Sequence, residues 1–336
     1  MPDDPTISRR QAMVVAASAL AACAGDTASG ADAPATQSAA TSPAMAQKLT
    51  ADDIVVAANR VAGHDFSVAE CEMMVRGVTG KRERMLAYRK TPIHPTVEPA
   101  IRFDPRLPGV RYPAGASSFH LSEQKALDFD GNPASLAFAS ATDLSRLIHA
   151  RKVSSVELTR MYLDRLESIG PKLNCVVTLT RDLALKQAEQ ADRDLKAGNS
   201  RGPLHGIPWG AKDLLATAGI PTTWGVKPLA KQVFDFDATA VARLAAAGAV
   251  LVAKLSLGEL AMGDVWFGGL TRNPWKPDTG SSGSSAGPGA ATAAGLVGFS
   301  VGSETLGSIV SPCVVNGVTG LRPTYGRISR YGAMAL

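Results

Sequence analysis

Residues 283–309 read GSSAGPGAATAAGLVGFSVGSETLGSI. Ser284 and Ser308 stand near opposite ends of this stretch, each preceded by a glycine, and the alanines and glycines between them leave almost no side-chain volume. Such a segment suits close approach of one backbone to another. The loop Gly302-Ser303-Glu304-Thr305-Leu306-Gly307 leads into Ser308. Its glycines let successive N–H groups turn toward one point, which is how main chain alone makes an oxyanion site. A serine hydroxyl is a poor nucleophile without a base to take its proton. Lys212 can serve through Ser284 if burial lowers its pKa. Its setting between Ile207-Pro208-Trp209-Gly210-Ala211 and Leu214-Leu215 is apolar, and Asp213 is a charged neighbour with room to point elsewhere.

Outward from this core, short apolar runs alternate with helical patterns, the mark of an α/β architecture. Ser154 and Glu157 match a capping box, and Val156, Leu158, Met161, Tyr162 and Leu166 recur at helical spacing until Gly170-Pro171 stops the pattern. A strand is expected over 173–179, a helix over 182–197, a strand over 207–211 leading to Lys212, a helix over 238–247 and an apolar strand over 249–253. This main domain spans 136–336. Before it, residues 50–135 read as a helical extension with a Pro-rich arm. Thr50 and Asp53 open a helix with Ile54, Val55, Ala58 and Val61 on one side, a second helix runs from 68 to about 89, and residues 91–113 form the arm.

The first 22 residues read as an export signal of the twin-arginine type, with Ser8-Arg9-Arg10 ahead of an apolar run from Ala12 to Ala22. That run is shorter than the roughly 20 apolar residues a spanning helix takes. It ends in Leu20-Ala21-Ala22-Cys23, similar to a lipobox, so Cys23 is the expected lipidation site; ordinary signal cleavage with Cys23 incidental is the competing reading. Residues 23–49 hold hardly a large apolar side chain and read as a flexible tether. The expected location is outside the cytoplasm, on the periplasmic or envelope side, held to the membrane through Cys23.

Composition narrows the function. Hydrophobic residues make up 45% of 336, enough for a sizeable core. The net charge of +5, from 35 basic and 30 acidic residues, is spread out with no basic run interleaved with aromatics, which argues against nucleic acid as a partner. Cys23, Cys71, Cys175 and Cys313 form no CxxC pair and have no histidine at ligand spacing, so neither a disulfide framework nor a zinc site is expected.

HGIPWGAKD at 205–213, GSSAGPGAATAAG at 283–295, GSETLGSI at 302–309 and GVTGLRPTYGRIS at 317–329 occur in the order and at about the separations of the amidase signature family, which the chain resembles over 136–336. The resemblance implies a central mixed, twisted sheet flanked by helices. It implies a general base at Lys212, a bridging serine preceded by a cis peptide bond at Ser284, and a nucleophile at Ser308. Ser284 is chosen over Ser281, Ser282 and Ser285 because 308 − 284 = 24, the family's separation. The backbone N–H groups of Thr305, Leu306, Gly307 and Ser308 would stabilise the oxyanion, and the implied acyl transfer uses no metal or organic cofactor.

Three departures qualify the resemblance. Leu306 replaces a glycine common in the oxyanion loop, which changes that loop's shape. Val310 stands where relatives acting on carboxylate-bearing substrates often carry arginine, so a neutral or apolar small-molecule amide is expected. The chain also stops at Leu336, where family members continue, so the domain reads as C-terminally incomplete. Two other readings stay open. One is an α/β-hydrolase esterase, because Gly283-Ser284-Ser285-Ala286-Gly287 fits G-x-S-x-G with Ser285 as nucleophile, although a loop precedes it and no histidine follows His205. The other is an inactive or binding-only lipoprotein relative.

Overall fold

A computed structural model describes residues 48–62, 65–90, 109, 111 and 127–335. The export signal, Cys23, almost all of the tether and most of the Pro-rich arm lie outside the described residues. The chain divides into two compact units, residues 1–93 and 94–336.

In the first unit, helices α1 (Ala51–Ala62) and α2 (Val68–Lys90) pack against each other. Each begins with reciprocal capping. Asp53 accepts from the Thr50 N–H at 2.9 Å while Thr50 Oγ1 accepts from the Asp53 N–H, and Ser67 and Glu70 repeat the arrangement for α2. Ile54 and Cys71 are the buried apolar side chains here, whereas Val61, expected on the apolar side of α1, is 89% exposed. α1 therefore buries one turn of its stripe rather than its whole length.

The second unit is built on a four-stranded mixed sheet. After helix α3 (Ala141–His149) come α4 (Ser155–Ser168), the one-turn α5 (Gly170–Leu173), β1 (Val176–Leu179), α6 (Arg181–Lys196), β2 (Pro208–Lys212), α7 (Thr239–Ala246) and β3 (Val250–Leu255). A two-stranded ribbon follows, β4 (Val265–Trp266) with β5 (Gly269–Leu270), then α8 (Ala286–Ala293), β6 (Phe299–Val301) and α9 (Val310–Asn316). The sheet order is β1-β3-β2-β6, with β1 antiparallel to β3 and both β3 and β6 parallel to β2. Parallel neighbours need a crossover, and α7 supplies it between β2 and β3.

All residues of β2 and β3 are buried, as central strands covered on both faces should be. Val250 and Val252 pack with Leu163 and Leu166 of α4 and Ala184 and Ala188 of α6, while Leu251 between them packs with Trp209, Leu214 and Val241. Successive strand side chains point to opposite faces, so one strand feeds two cores. A third cluster, around Leu136, Leu144, Ile148, Leu158 and Tyr162, lies under α3 and α4.

The Ser154–Glu157 capping box is present and starts α4 where expected. Gly170-Pro171, expected to stop the helix, instead opens α5, because proline within the first turn needs no N–H partner. β1 then begins at Val176 rather than at 173, since Leu173 still belongs to α5 and Asn174 turns left-handed at φ 52°. Toward the other end, the Ala216 N–H donates to Gly332 O at 2.8 Å and the Met334 N–H to Leu214 O at 3.1 Å, seating residues 332–334 beside the chain just after β2.

The small residues of 283–295 have a direct consequence in α8. Ala286, Gly287, Gly289, Ala290 and Ala291 are all buried. The Gly287 N–H donates to Ser256 O at 2.9 Å, and a Cβ on Gly287 would stand 2.4 Å from Ser256 N and 2.7 Å from Ser256 O. Main chain cannot yield as a side-chain end can, so Gly287→Ala must push α8 off the sheet. It is expected to destabilise the protein by about 1–3 kcal/mol, checked by the melting temperature of the variant against the parent.

Candidate active site

Lys212 is the last residue of β2, and its side chain is wholly buried. Its Nζ donates to Ser284 Oγ at 2.8 Å, Ser303 Oγ at 2.9 Å and Ser285 Oγ at 3.0 Å, with Ser303 O farther off at 3.5 Å. Three hydroxyls thus surround the amine, and no carboxylate touches it. Burial pulls its pKa from 10.5 down to about 7, with the Glu304 carboxylate acting in the opposite sense.

Each hydroxyl is placed by a different element. Ser284 follows a cis Gly283–Ser284 peptide bond, as expected, in the loop ahead of α8. A Cβ at Gly283 would stand 1.8 Å from Gly263 O, so only glycine fits there. Ser285 is the N-cap residue of α8, yet its hydroxyl does not cap that helix. It donates to Ser303 O at 3.1 Å and accepts from the Ser303 N–H at 3.2 Å, tying the loop after β6 to the start of α8. Sequence reasoning missed Ser285 and Ser303 as partners of Lys212. Ser303 directly follows Gly302 in the quoted loop, and that adjacency to the glycine turn was the available signal.

Asp213 does point elsewhere. It forms an ion pair with Lys254 of β3 at 3.1 Å, both side chains fully buried, and its other oxygen accepts from the Thr223 N–H at 2.9 Å and Thr223 Oγ1 at 2.5 Å. Lys254 also donates to Thr222 Oγ1 at 2.7 Å and Leu215 O at 2.9 Å. Burial drives the Lys254 pKa down and that of Asp213 up, each opposed by the other's charge.

Ser308 lies half-buried in the loop between β6 and α9. Its carbonyl accepts from the Ser285 N–H at 3.1 Å, which holds it beside the serine pair. Among the described residues its hydroxyl makes no hydrogen bond, and the hydroxyls of Ser284 and Ser308 are not joined. Catalytic hydrogen bonds are often long in ligand-free structures and tighten with substrate. Of the four expected oxyanion donors, Thr305 and Leu306 lie on an exposed loop, Leu306 95% exposed, and Gly307 adopts φ +90°. The Gly307 N–H is turned toward Glu304, which also accepts from the Ile309 and Val310 N–H groups at 2.9 Å each.

A family model described as Amidase matches residues 157–336, more than half of the chain. The chain belongs to the amidase family. The expected α/β fold with a mixed sheet flanked by helices holds. The A chain of the glutamyl-tRNA(Gln) amidotransferase of Carboxydothermus hydrogenoformans is 42% identical over 203 residues, covering 60% of this chain and 42% of that relative. Its counterpart in the glutamyl-tRNA(Gln) amidotransferase of Azoarcus sp. is 46% identical over 200 residues, covering 59% and 41%. Among solved structures, the native peptide amidase of Stenotrophomonas maltophilia matches at TM-score 0.57 and 40% identity, over 60% of this chain and 43% of that one. A fatty acid amide hydrolase matches at 0.58 and 34%, over 61% and 37%. The chain therefore spans about two fifths of the length of the relatives it matches.

Membership in the amidase family sets aside the α/β-hydrolase reading of Ser285. That motif needs a strand running straight into the serine. Here residues 271–285 contain no strand, and the Ser285 hydroxyl is committed to Lys212 and Ser303. A cavity of about 130 Å³ lined by Leu183, Trp209, Asp237 and Val241 includes none of Lys212, Ser284 or Ser308, and it has no part in this site.

The depressed lysine leaves a signature in stability. Between about 7 and 10.5 the unfolded chain keeps a proton on Lys212 that the folded chain has lost, so stability rises with pH across that window. The expected outcome is that Lys212→Met removes this rise, measured as urea midpoints of parent and variant from pH 6 to 10.

Proposed function

We propose that this member of the amidase family is a serine-dependent amide hydrolase in which Lys212, Ser284 and Ser308 act together. The observation that carries the reading is the buried Lys212 amine against the Ser284 hydroxyl at 2.8 Å, with a pKa near 7, so that a large fraction is neutral at neutral pH. A neutral amine accepts a proton, and the hydroxyl beside it becomes a proton carrier in place of histidine.

In this mechanism Ser308 Oγ attacks the carbonyl carbon of the amide. Its proton passes to Ser284 Oγ, and the proton of Ser284 passes to Lys212 Nζ. The carbonyl oxygen becomes an oxyanion facing the N–H groups of Thr305, Leu306, Gly307 and Ser308, each such donor worth about 2.7–4 kcal/mol in a preorganised site. The C–N bond then breaks, the departing amine takes a proton from Ser284, and Lys212 restores it. Water enters by the same relay, attacks the ester at Ser308 and releases the acid.

Two residues shape substrate choice in this reading. Leu306 presents an apolar side chain at the tip of the oxyanion loop, and Val310 offers no cation just after the nucleophile. A neutral or apolar amide fits both. The likeness to glutamyl-tRNA(Gln) amidotransferases supports glutamine as the rival amide donor. A fluorophosphonate probe should label the full chain at Ser308, with Ser308→Ala unlabelled and Lys212→Ala or Ser284→Ala labelled about 10³-fold more slowly. Hydrolysis of a neutral aryl or alkyl amide should exceed that of a malonamate-like acid and of glutamine. A folded parent that stays unlabelled would instead favour a binding-only protein.

The N-terminal reading is proposed alongside. Export by a twin-arginine signal and lipidation at Cys23 would place the enzyme on a membrane surface outside the cytoplasm, and Ser8-Arg9-Arg10 followed by the apolar run to Cys23 supports it. Bacteria expressing the chain with a radiolabelled fatty acid should yield labelled protein in the membrane fraction. Cys23→Ser should abolish the label, and its persistence would overturn the assignment.

A further inference from the structure

Glu304 is the acidic group nearest in effect to the catalytic constellation, and no step of the proposed mechanism uses it. Its carboxylate accepts from the N–H groups of Ile309 and Val310 at 2.9 Å each, and the Gly307 N–H turns toward it as well. Those donors stand on either side of Ser308 in sequence. One side chain therefore straps the nucleophile loop from both ends. The other carboxylate oxygen faces Arg322 Nε at 3.3 Å, with the Glu304 side chain 7% and the Arg322 side chain 60% exposed.

From this geometry we propose that Glu304 is a positioning residue that fixes the loop of Ser308 and biases the proton on Lys212, with Arg322 setting the strength of that bias. The proposal rests on the reading of Ser308 as nucleophile and Lys212 as base. Although burial pushes the Glu304 carboxyl up, its backbone donors and Arg322 outweigh that and hold it below the ordinary value, so it is charged when Lys212 titrates. Of the acids in the described residues, Glu304 is the one whose charge bears on Lys212. The other groups facing the lysine are the neutral hydroxyls of Ser284, Ser285 and Ser303. On α9, Cys313 is held above its ordinary pKa by burial and by Glu304, so it stays a neutral thiol. Asp213 is paired with Lys254 and does not contribute.

The sign of each variant follows. A carboxylate favours the Lys212 cation, so Glu304→Gln makes the amine neutral at lower pH. Arg322→Met unmasks the carboxylate and makes the amine neutral at higher pH. In Glu304→Gln, removing Arg322 as well should add nothing, because Arg322 acts through Glu304.

The test is the pH profile of fluorophosphonate labelling at Ser308, run at low ionic strength so that exposed charges are not screened. The ¹⁵N resonance of Lys212 Nζ, assigned by its loss in Lys212→Arg, is followed in parallel. Both midpoints should fall by about one pH unit in Glu304→Gln and rise in Arg322→Met. A merely structural strap would lower the labelling plateau and leave both midpoints in place. Arg322→Met alters an exposed side chain and keeps the test alive if Glu304→Gln fails to fold. Unmoved midpoints in the folded variants overturn the proposal. Shifted Nζ midpoints without any Ser308 labelling uphold the Glu304–Lys212 coupling and overturn the nucleophile reading.

Discussion

The removal of Lys212 from water is the constraint on which the rest of the site depends. An ammonium in that position keeps three hydroxyl partners and gains no direct counter-charge, so desolvation outweighs the attraction of Glu304 and brings the pKa to about 7. Keeping the lysine dry needs β2 sealed on both sides by β3 and β6, with α8 lying close enough to shut the space above. That closeness in turn requires the glycines and alanines of α8.

Lys254 shows what the same burial does when a carboxylate is present. It sits on the neighbouring strand, equally inaccessible, but its amine meets Asp213, two carbonyls and a threonine hydroxyl. Removing one partner of such a pair strands a buried charge, whereas replacing both together is tolerated. Lys254 is therefore a structural lysine and Lys212 a reactive one. The distinction arises because Asp213, one residue beyond Lys212, points to the opposite face of the strand and takes its charge to Lys254. Had Asp213 lain beside Lys212, it would have held the amine protonated and useless as a base.

Much of this was legible in the chain. Ser154 with Glu157 and Thr50 with Asp53 announced their helices because capping is a local interaction, settled within four residues. The strands ending at Lys212 and Leu255 were legible as apolar runs because both of their faces are covered. Expectations failed where a local rule met a neighbour. Gly170-Pro171 continued as a new turn, Asn174 delayed β1 by reversing its φ, and Val61 stayed in solvent because helical spacing states which residues share a face but not how much of that face finds a partner.

By itself, then, the sequence determined the helices with caps, the buried strands, the small-residue packing of 283–295 and the identities of Lys212, Ser284 and Ser308, since these depend on local chemistry and on linked motifs within one stretch. Tertiary structure alone decided which hydroxyls surround the lysine, where Asp213 sends its charge, and that Glu304 and Arg322 stand behind the nucleophile loop. Each of those contacts joins residues far apart in the chain, 72 positions in the case of Lys212 and Ser284. Their distance and burial, which set the energy of every charge in the site, exist only once the sheet has brought them together.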